Sequence, residues 1–230
     1  VGARRGSPLA IGYGDGEMFL GSDAVALAPL TRRIAYLEEG DVVALTHDSV
    51  IVRDALGKTV NRVVQEVAQL GDKLGKGNFP HYMLKEIYEQ PTVIGDTLLS
   101  YLHYVTGRVE LPRMPFDLSK VPAARVVACG TSYHAGLIAR YWLESLARLP
   151  VEADVASEFR YRDPPLAPGG LGIYISQSGE TADTLAALRH ARARQQHTLA
   201  VVNVPQSSMA RDAEAALLTH AGPEIGVAST

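Results

Sequence analysis

Residues 124–220 alternate five short apolar runs with amphipathic segments, and this alternation constrains the fold more than any other feature of the sequence. The runs are ARVVAC, VEADVA, GIYIS, TLAVVN and AALLT. The longest segments between them, residues 132–148 and 181–194, read as helices. Strands that alternate with helices form a parallel sheet, because each connection between parallel strands must cross over the sheet. We therefore predict an α/β domain with a doubly wound parallel sheet between two helical layers.

The first quarter of the chain has a different pattern. Residues 8–54 contain five short strand-like runs at close spacing, and Asp15-Gly16 between the first two is a strong hairpin signal. These features predict an antiparallel β-meander. The two patterns belong to different kinds of structure, so we place a domain boundary near residues 71–80, where the sequence is rich in Gly and Lys.

The segments around that boundary are less regular. The valines of residues 60–67 fit a helical period, yet β-branched residues favour strands. Residues 81–90 predict a helix that ends before Pro91, because proline disfavours helix in the residue before it. Residues 92–105 repeat apolar residues at helical spacing, and residues 157–165, SEFRYRDPP, are compatible with a solvated loop.

Composition excludes several classes of function. The 230 residues carry a net charge of −3, with 47% hydrophobic and 20% charged residues. This charge does not show the excess of basic residues that binding to nucleic acid or an anionic membrane requires. No apolar run approaches the roughly 20 residues of a membrane span. The single cysteine, Cys129, excludes an intrachain disulfide and favours a reducing compartment. The seven histidines lack metal-ligand spacing, so we expect neither a metal nor another cofactor.

Two predicted strand-to-helix junctions share an unusual composition. Thr131 and Ser132 follow the first apolar run, and Ser176-Gln177-Ser178-Gly179-Glu180-Thr181 follows the third. Ligands of open parallel sheets bind at the carboxyl ends of the strands, where helix N-termini offer unpaired N–H groups to an anion. Neither junction carries Lys or Arg. We therefore predict a phosphate monoester site built from hydroxyls and backbone N–H groups, with the amide of Gln177 within reach of sugar oxygens.

Simpler interpretations of these residues remain open. Serine and threonine are also ordinary helix N-caps, and one such junction alone would more often be just a cap. Two junctions on one sheet favour binding. The spacing matches neither a Walker A motif nor G-x-G-x-x-G, which disfavours nucleotides. Cys129 reads as a small core residue. Glu180 complements the dipole of the following helix, and we assign it no catalytic role.

Several longer motifs, in order, resemble one enzyme family. They are HYMLKEIYEQP, CGTSYHAG, ASEFRYR, SQSGETADTLAALR, NVPQSS and EIGVAST, and together with the N-terminal GARRGSPLAIGYGDGEMFLGSDAVAL they resemble the isomerizing glutamine–fructose-6-phosphate aminotransferases. The resemblance implies that residues 1–79 are the last part of a glutaminase domain with an N-terminal-nucleophile fold, plus a linker. It implies that residues 80–230 begin the isomerase, with the first sugar isomerase (SIS) subdomain, and that residues 60–67 are strand.

The resemblance also implies a function and a set of ligand contacts. The family makes glucosamine 6-phosphate and glutamate from fructose 6-phosphate and glutamine, in the cytoplasm, as a dimer or larger oligomer without nucleic-acid or membrane partners. Glutamine would bind only upstream of this chain. The residues expected to hold the sugar phosphate are Thr131, Ser132, Ser176, Gln177, Ser178, Thr181, Val227 and Ser229. By the resemblance, Ser176, Ser178 and Thr181 would face mainly the phosphate, and Val227 and Ser229 would line the sugar.

The family's catalytic residues have no counterpart here. Its glutaminase uses an amino-terminal cysteine, whereas this chain opens with Val1, and its isomerase Glu, His and Lys lie downstream of the matching region. We therefore expect a segment of a longer protein that is inactive alone, with no catalytic residue of its own. The alternative is a noncatalytic sugar-phosphate-binding SIS module or regulator. Such regulators carry a basic helix-turn-helix ahead of the SIS core, and residues 1–80 show no such pattern.

Overall fold

The computed structural model describes residues 1–6, 8–66 and 75–226 of the chain. It divides the chain into two compact units, residues 1–75 and 76–230. The division lies within the Gly- and Lys-rich segment at residues 71–80. The assignment of residues 1–79 to a glutaminase domain and of 80–230 to an isomerase stays a prediction.

The first unit consists of two antiparallel four-stranded sheets. One sheet has the strand order β3-β2-β4-β8 and the other the order β1-β5-β6-β7. A short helix, α1 (Ala24–Leu27), lies between β3 and β4. The strands are β1 (Gly2–Ala3), β2 (Ala10–Tyr13), β3 (Met18–Gly21), β4 (Arg33–Tyr36), β5 (Val42–Leu45), β6 (Val50–Arg53), β7 (Thr59–Val60) and β8 (Val64–Glu66).

The predicted strands and the first hairpin are confirmed, whereas the single meander is wrong. Gly14 N donates to Glu17 O at 2.9 Å, and Gly16 closes this turn with φ +69°. After β3, however, the chain passes through α1 so that β4 pairs with β2, and β5 starts a second sheet. The alternation of residue types identifies strands but does not specify their partners.

The valine-rich segment of the first unit is strand and not helix. Ala35 of β4 pairs with Val64 of β8, and Val52 of β6 pairs with Val60 of β7. The strand predicted from the family resemblance is therefore confirmed at Val60 and at Val64–Glu66, whereas residues 61–63 form neither strand nor helix. The helical period of the valines gives the wrong structure. Val67, the last residue of that period, lies outside the described residues.

The second unit contains the predicted parallel sheet, with strand order β10-β9-β11-β12-β13. All five predicted strands are confirmed. The strands are β9 (Ala124–Ala128), β10 (Val151–Val155), β11 (Leu171–Ser176), β12 (His197–Val202) and β13 (Ala215–Leu218), and the helices are α2 (Tyr82–Tyr101), α3 (Gly130–Trp142), α4 (Ala156–Arg162), α5 (Ala182–Ala193) and α6 (Ser208–Asp212). A 3-10 turn (Leu118–Lys120) precedes β9, and a π-helical turn (Leu143–Ala147) extends α3.

Apolar side chains bury both faces of this sheet. Val127 of β9 belongs to a cluster with Phe159 of α4 and Leu188 of α5. Its neighbour Val126 points to the other face, in a cluster that Leu143 and Phe116 help to cover. Successive strand residues alternate between faces, so this division is what a sheet between two helical layers requires.

Two predictions for the second unit are wrong. The helix predicted to end before Pro91 continues through it, so residues 82–101 form one helix. Proline removes a backbone hydrogen bond and crowds the preceding turn, but hydrogen bonds of Glu86 and Thr97 to residues 219–226 hold α2 on both sides of Pro91. Residues 157–162 of the predicted loop belong to α4 (Ala156–Arg162), because Ala156 and Phe159 are buried against the sheet. Among the described residues, no helix has the length and apolar character needed to cross a membrane.

Candidate sugar-phosphate site

The two junctions singled out in the sequence lie side by side. β9 and β11 are neighbours in the parallel sheet, with Ala128 paired to Ile175, so both strands deliver their following loops to the same edge. A cavity of about 340 Å³ opens there. Four of the eight predicted ligand residues line it: Thr131, Ser132, Ser176 and Gln177.

The first junction, residues 129–132, places two hydroxyls on the first turn of a helix. Gly130 starts α3 with φ +57°, a conformation that glycine adopts without strain. Thr131 and Ser132 follow as the second and third helical residues. Neither side chain makes a hydrogen bond to any described residue. The junction therefore presents hydroxyls that are available to a ligand, together with the positive end of the helix dipole.

The second junction, residues 176–181, uses its hydroxyls differently. The Ser176 hydroxyl is buried, accepts from Gly179 N at 3.1 Å and lies 2.9 Å from Thr181 Oγ1. Ser178 Oγ accepts from Glu180 N at 3.2 Å, which is a local serine turn. Thr181 precedes α5 but makes no capping hydrogen bond, so the N-cap interpretation is wrong for this residue. Ser178 and Thr181 shape the loop and do not line the cavity.

Gly179 and Glu180 fasten the second junction to α6. Gly179 has φ +64°, and a Cβ there would lie 2.5 Å from Ser207 Cβ and closer still to its hydroxyl. Gly179 O accepts from Met209 N at 3.0 Å, and Glu180 Oε1 accepts from Ser208 N at 2.6 Å. The Glu180 carboxylate thus satisfies the N-terminus of α6, and not that of its own helix α5 as predicted.

Cys129, the last residue before α3, makes weak contacts only. It is half-buried, and the hydroxyl of Thr184 lies 4.0 Å from its sulfur. Its side chain packs against the cluster of Val127 and Phe159. These contacts are those of a small packing residue, as the sequence predicted.

The opposite wall of the cavity was missed by sequence reasoning. It is formed by α2 and by the segment after β13, which contribute Glu86, Glu89, Gln90, Val93, Thr219, Ala221, Pro223 and Glu224. Residues of α2 lie far from the strand ends in the sequence, so no local pattern could have placed them here. Asn203, which also lines the cavity, could have been found, because it follows β12 at the same edge of the sheet.

The two walls differ in charge. Glu86, Glu89 and Glu224 line one side of the cavity, whereas the first turn of α3 with its two hydroxyl groups, Ser176 and Gln177 line the other. Carboxylates repel a phosphate dianion, so this arrangement directs a phosphate toward the N-terminus of α3 and the start of the second junction. Within residues 1–6, 8–66 and 75–226, no group of His, Cys, Asp and Glu side chains is placed to hold a metal ion. Val227 and Ser229, predicted to line the sugar, lie outside the described residues.

A second cavity, of about 260 Å³, does not offer the same chemistry. It is lined by Ala124 and Leu171, which begin their strands, and so lies at the amino-terminal edge of the sheet. Its guanidinium, from Arg125, forms ion pairs with Asp154 and Glu152. A parallel sheet directs helix N-termini to its carboxyl edge, so the first cavity is the better anion site.

Comparison with known proteins gives the same fold and a consistent set of names. Residues 117–230 match the SIS domain family. The chain is 60% identical over its whole length to the glutamine--fructose-6-phosphate aminotransferase [isomerizing] of Zymomonas mobilis, and 58% identical to one from Bradyrhizobium diazoefficiens. It spans 38% of the length of each of these relatives.

A solved structure supports the same comparison. The C-terminal domain of glucosamine-fructose-6-phosphate aminotransferase from Francisella tularensis is 45% identical to the aligned part of the chain and superposes with a TM-score of 0.63. The alignment covers 68% of this chain and 44% of that structure. The predicted α/β fold and the SIS domain are therefore confirmed.

Proposed function

We propose that this chain, which carries a SIS domain over residues 117–230, is the sugar-phosphate-binding segment of an enzyme that converts fructose 6-phosphate and glutamine to glucosamine 6-phosphate and glutamate. The single observation that carries the proposal is the cavity in which both Ser/Thr-rich junctions meet. The names of relatives 60% and 58% identical over the whole chain supply the reaction.

The proposed binding mode assigns a role to each side of the cavity. The phosphate lies at the N-termini of α3 and α5, where Thr131 and Ser132 donate hydroxyl hydrogen bonds and backbone N–H groups add the dipole. Ser176 holds the second loop in shape beside it, and the side-chain amide of Gln177 contacts sugar oxygens. Ser178 and Thr181 support this loop from behind. None of these residues moves a proton in the reaction.

The remaining parts of the reaction belong to regions that this chain does not supply. The glutaminase nucleophile and the isomerase acid–base groups are proposed to lie elsewhere in the intact protein. The relatives are longer than this chain, which spans 38% of the length of the Zymomonas mobilis protein. We also propose a cytoplasmic location, with which the single cysteine agrees. The proposed homodimer of the intact protein rests on the family resemblance alone.

Calorimetric titration tests the binding proposal. Charge-assisted hydrogen bonds contribute roughly 1.5–3 kcal/mol each. Loss of two of them should therefore weaken binding by about a hundredfold or more, at roughly 1.4 kcal/mol per decade. Fructose 6-phosphate and glucosamine 6-phosphate should bind the protein. Unphosphorylated fructose should bind about a hundredfold more weakly than fructose 6-phosphate, or weaker still. Equal affinity for fructose and its 6-phosphate would contradict a phosphate site.

A second assay separates the enzyme from a noncatalytic module. The intact protein should form glucosamine 6-phosphate from fructose 6-phosphate and glutamine, and Ser132→Asp should abolish this turnover by excluding the phosphate. The matched control is Ser145→Ala, because Ser145 is an exposed serine of the same unit and does not line the cavity. Tight binding without turnover in the intact protein would instead favour a sugar-phosphate sensor.

A further inference from the structure

Part of the opposite wall of the cavity is an irregular segment that lies beyond the last strand of the sheet. Residues 219–226, here called the wall segment, follow β13 and form neither helix nor strand. Thr219, Ala221, Pro223 and Glu224 line the cavity from this segment. Thr219 N still donates to Val202 O at 3.0 Å, but in the described structure no later backbone group of the segment bonds to another backbone group. Side chains must therefore fix its position.

The beginning of the wall segment is held by three side chains. Asn203 Oδ1 accepts from Ala221 N at 2.8 Å, and its Nδ2 donates to Gly222 O at 2.6 Å. Tyr101 of α2 hydrogen bonds with the backbone of Leu218, and the Thr97 hydroxyl donates to Thr219 O. These contacts fix the segment as far as Gly222.

The end of the wall segment is held by Glu86. Glu86 Oε1 accepts from Ile225 N at 2.7 Å and from Gly226 N at 3.0 Å. Both bonds anchor the backbone of the wall segment beyond Gly222. One ionised oxygen that accepts from two successive N–H groups forms a strong, directional clamp.

The packing around Gly226 gives an independent sign of the same contact. A Cβ on Gly226 would lie 2.5 Å from Glu86 Oε2 and 2.8 Å from Met83 N. The backbone of residue 226 therefore rests directly on the first turns of α2, and only glycine allows this approach. Glu86 before Pro91 and Thr97 after it both bind the wall segment, so both halves of α2 are held by the same segment.

We infer that Glu86 is a positioning residue of the sugar-phosphate site. Its carboxylate acts as a hydrogen-bond acceptor that sets the distance between the wall segment and the hydroxyl groups of the two junctions. This inference rests on the proposed function for the identity of the ligand, but the clamp itself does not. A positioning role requires an acceptor oxygen at this point and no transfer of a proton.

Amide hydrogen exchange tests the clamp directly. Glu86→Ala should accelerate exchange at Ile225 and Gly226 by at least tenfold, whereas Glu86→Gln keeps an acceptor oxygen and should stay within about threefold of the unmodified protein. Asp96→Ala is the matched control, because it removes an exposed carboxylate from the same helix outside the cavity. Unchanged exchange at both amides in Glu86→Ala would overturn the inference.

Ligand affinity tests the consequence for the site. Titration with fructose 6-phosphate should show about tenfold weaker binding for Glu86→Ala and near-normal binding for Glu86→Gln. Gly226→Ala should reproduce the weaker binding without altering Glu86, and combining it with Glu86→Ala should add little, since both open the same contact. Thermal unfolding identifies any variant that fails to fold.

The outcomes separate the inference from the proposed function. Equal loss of affinity in Glu86→Gln and Glu86→Ala would show that the charge matters and not the acceptor, which overturns positioning. Faster amide exchange with unchanged affinity would overturn it too. Failure of the unmodified protein to bind fructose 6-phosphate would refute the proposed function, while the exchange measurement would still decide whether Glu86 clamps the segment.

Discussion

The two junctions at the carboxyl edge of the parallel sheet have similar compositions and different structures. In the first junction, Thr131 and Ser132 make no side-chain hydrogen bonds to described residues and face the cavity. In the second, the hydroxyls of Ser176 and Thr181 bond to each other, and Ser178 bonds to the backbone of its own turn. The hydroxyl groups of the first junction are available to a ligand, whereas those of the second junction form hydrogen bonds within their own loop.

This difference bears on how the proposed phosphate site would be rigid without a cationic side chain. A loop that binds through N–H groups must hold them in a fixed direction before the ligand arrives. Internal hydrogen bonds and the attachment to α6 provide that rigidity in the second junction. The helical geometry of α3 provides it in the first. Substitutions should therefore affect stability in one junction and ligand affinity in the other.

The largest contrast is expected between two glycines. Gly179→Ala should lower the free energy of unfolding of the second unit by about 2–5 kcal/mol, because a left-handed conformation and a collision with Ser207 act together. Gly130→Ala should lower it by only about 1–2 kcal/mol, because it has a similar φ and no atom within 4 Å of the added Cβ. Denaturant unfolding monitored in the second unit measures both. Equal destabilisation would mean that the contact with α6 has no importance.

A charge in the first junction should separate affinity from stability. Ser132→Asp places a carboxylate on the third residue of α3, where its interaction with the helix dipole should stabilise the fold by about 0.3–1 kcal/mol. The same carboxylate should repel a phosphate and weaken fructose 6-phosphate binding by about a hundredfold or more. Thermal unfolding and calorimetry give the two values. A variant that binds normally would remove Ser132 from the site.

Loss of a hydroxyl should reduce stability in the second junction and ligand affinity in the first. Ser176→Ala should destabilise the second unit by about 1–3 kcal/mol, because the buried Gly179 N–H loses its acceptor. Thr131→Ala should change stability by less than about 0.5 kcal/mol, since its hydroxyl has no partner in the described structure. Its affinity for fructose 6-phosphate should still fall about tenfold. Similar effects on stability in both variants would contradict the assigned roles.

The smallest expected effect is the coupling between two hydroxyls of the second junction. A double-mutant cycle with Ser176→Ala and Thr181→Ala should give an interaction energy of about 0.5–1.5 kcal/mol, because the two oxygens lie 2.9 Å apart. The corresponding cycle between Thr131 and Thr181 should give a value near zero. Additive effects of Ser176 and Thr181 would show that their hydrogen bond contributes nothing measurable to the loop.

The sequence predicts the strands of the parallel sheet better than the long-range contacts of α2. The short apolar runs and the helical segments between them are enough to locate β9 to β13, because burial on both faces leaves a strong apolar signal. The continuation of α2 through Pro91 is different, since it depends on bonds from Glu86, Thr97 and Tyr101 to residues more than a hundred positions away. Local patterns contain no information about such contacts.

The same limit applies to the site. The carboxyl-edge rule places Thr131, Ser132, Ser176 and Gln177 together before any coordinates are known, and the structure brings these four to one cavity. It does not reveal that Ser176 and Thr181 bond to each other, because both a ligand site and an internally bonded turn favour Ser, Thr and Gly. The acidic wall from α2 gave no signal at all.

Backbone amide shifts during titration with fructose 6-phosphate test most directly the central claim, that both junctions bind one phosphate. We expect the largest nuclear magnetic resonance shifts at residues 130–132 and 177–181, with inorganic phosphate perturbing the same amides more weakly and fructose leaving them unchanged. Shifts confined to one junction, or centred on the second cavity at the amino-terminal edge of the sheet, would contradict the claim.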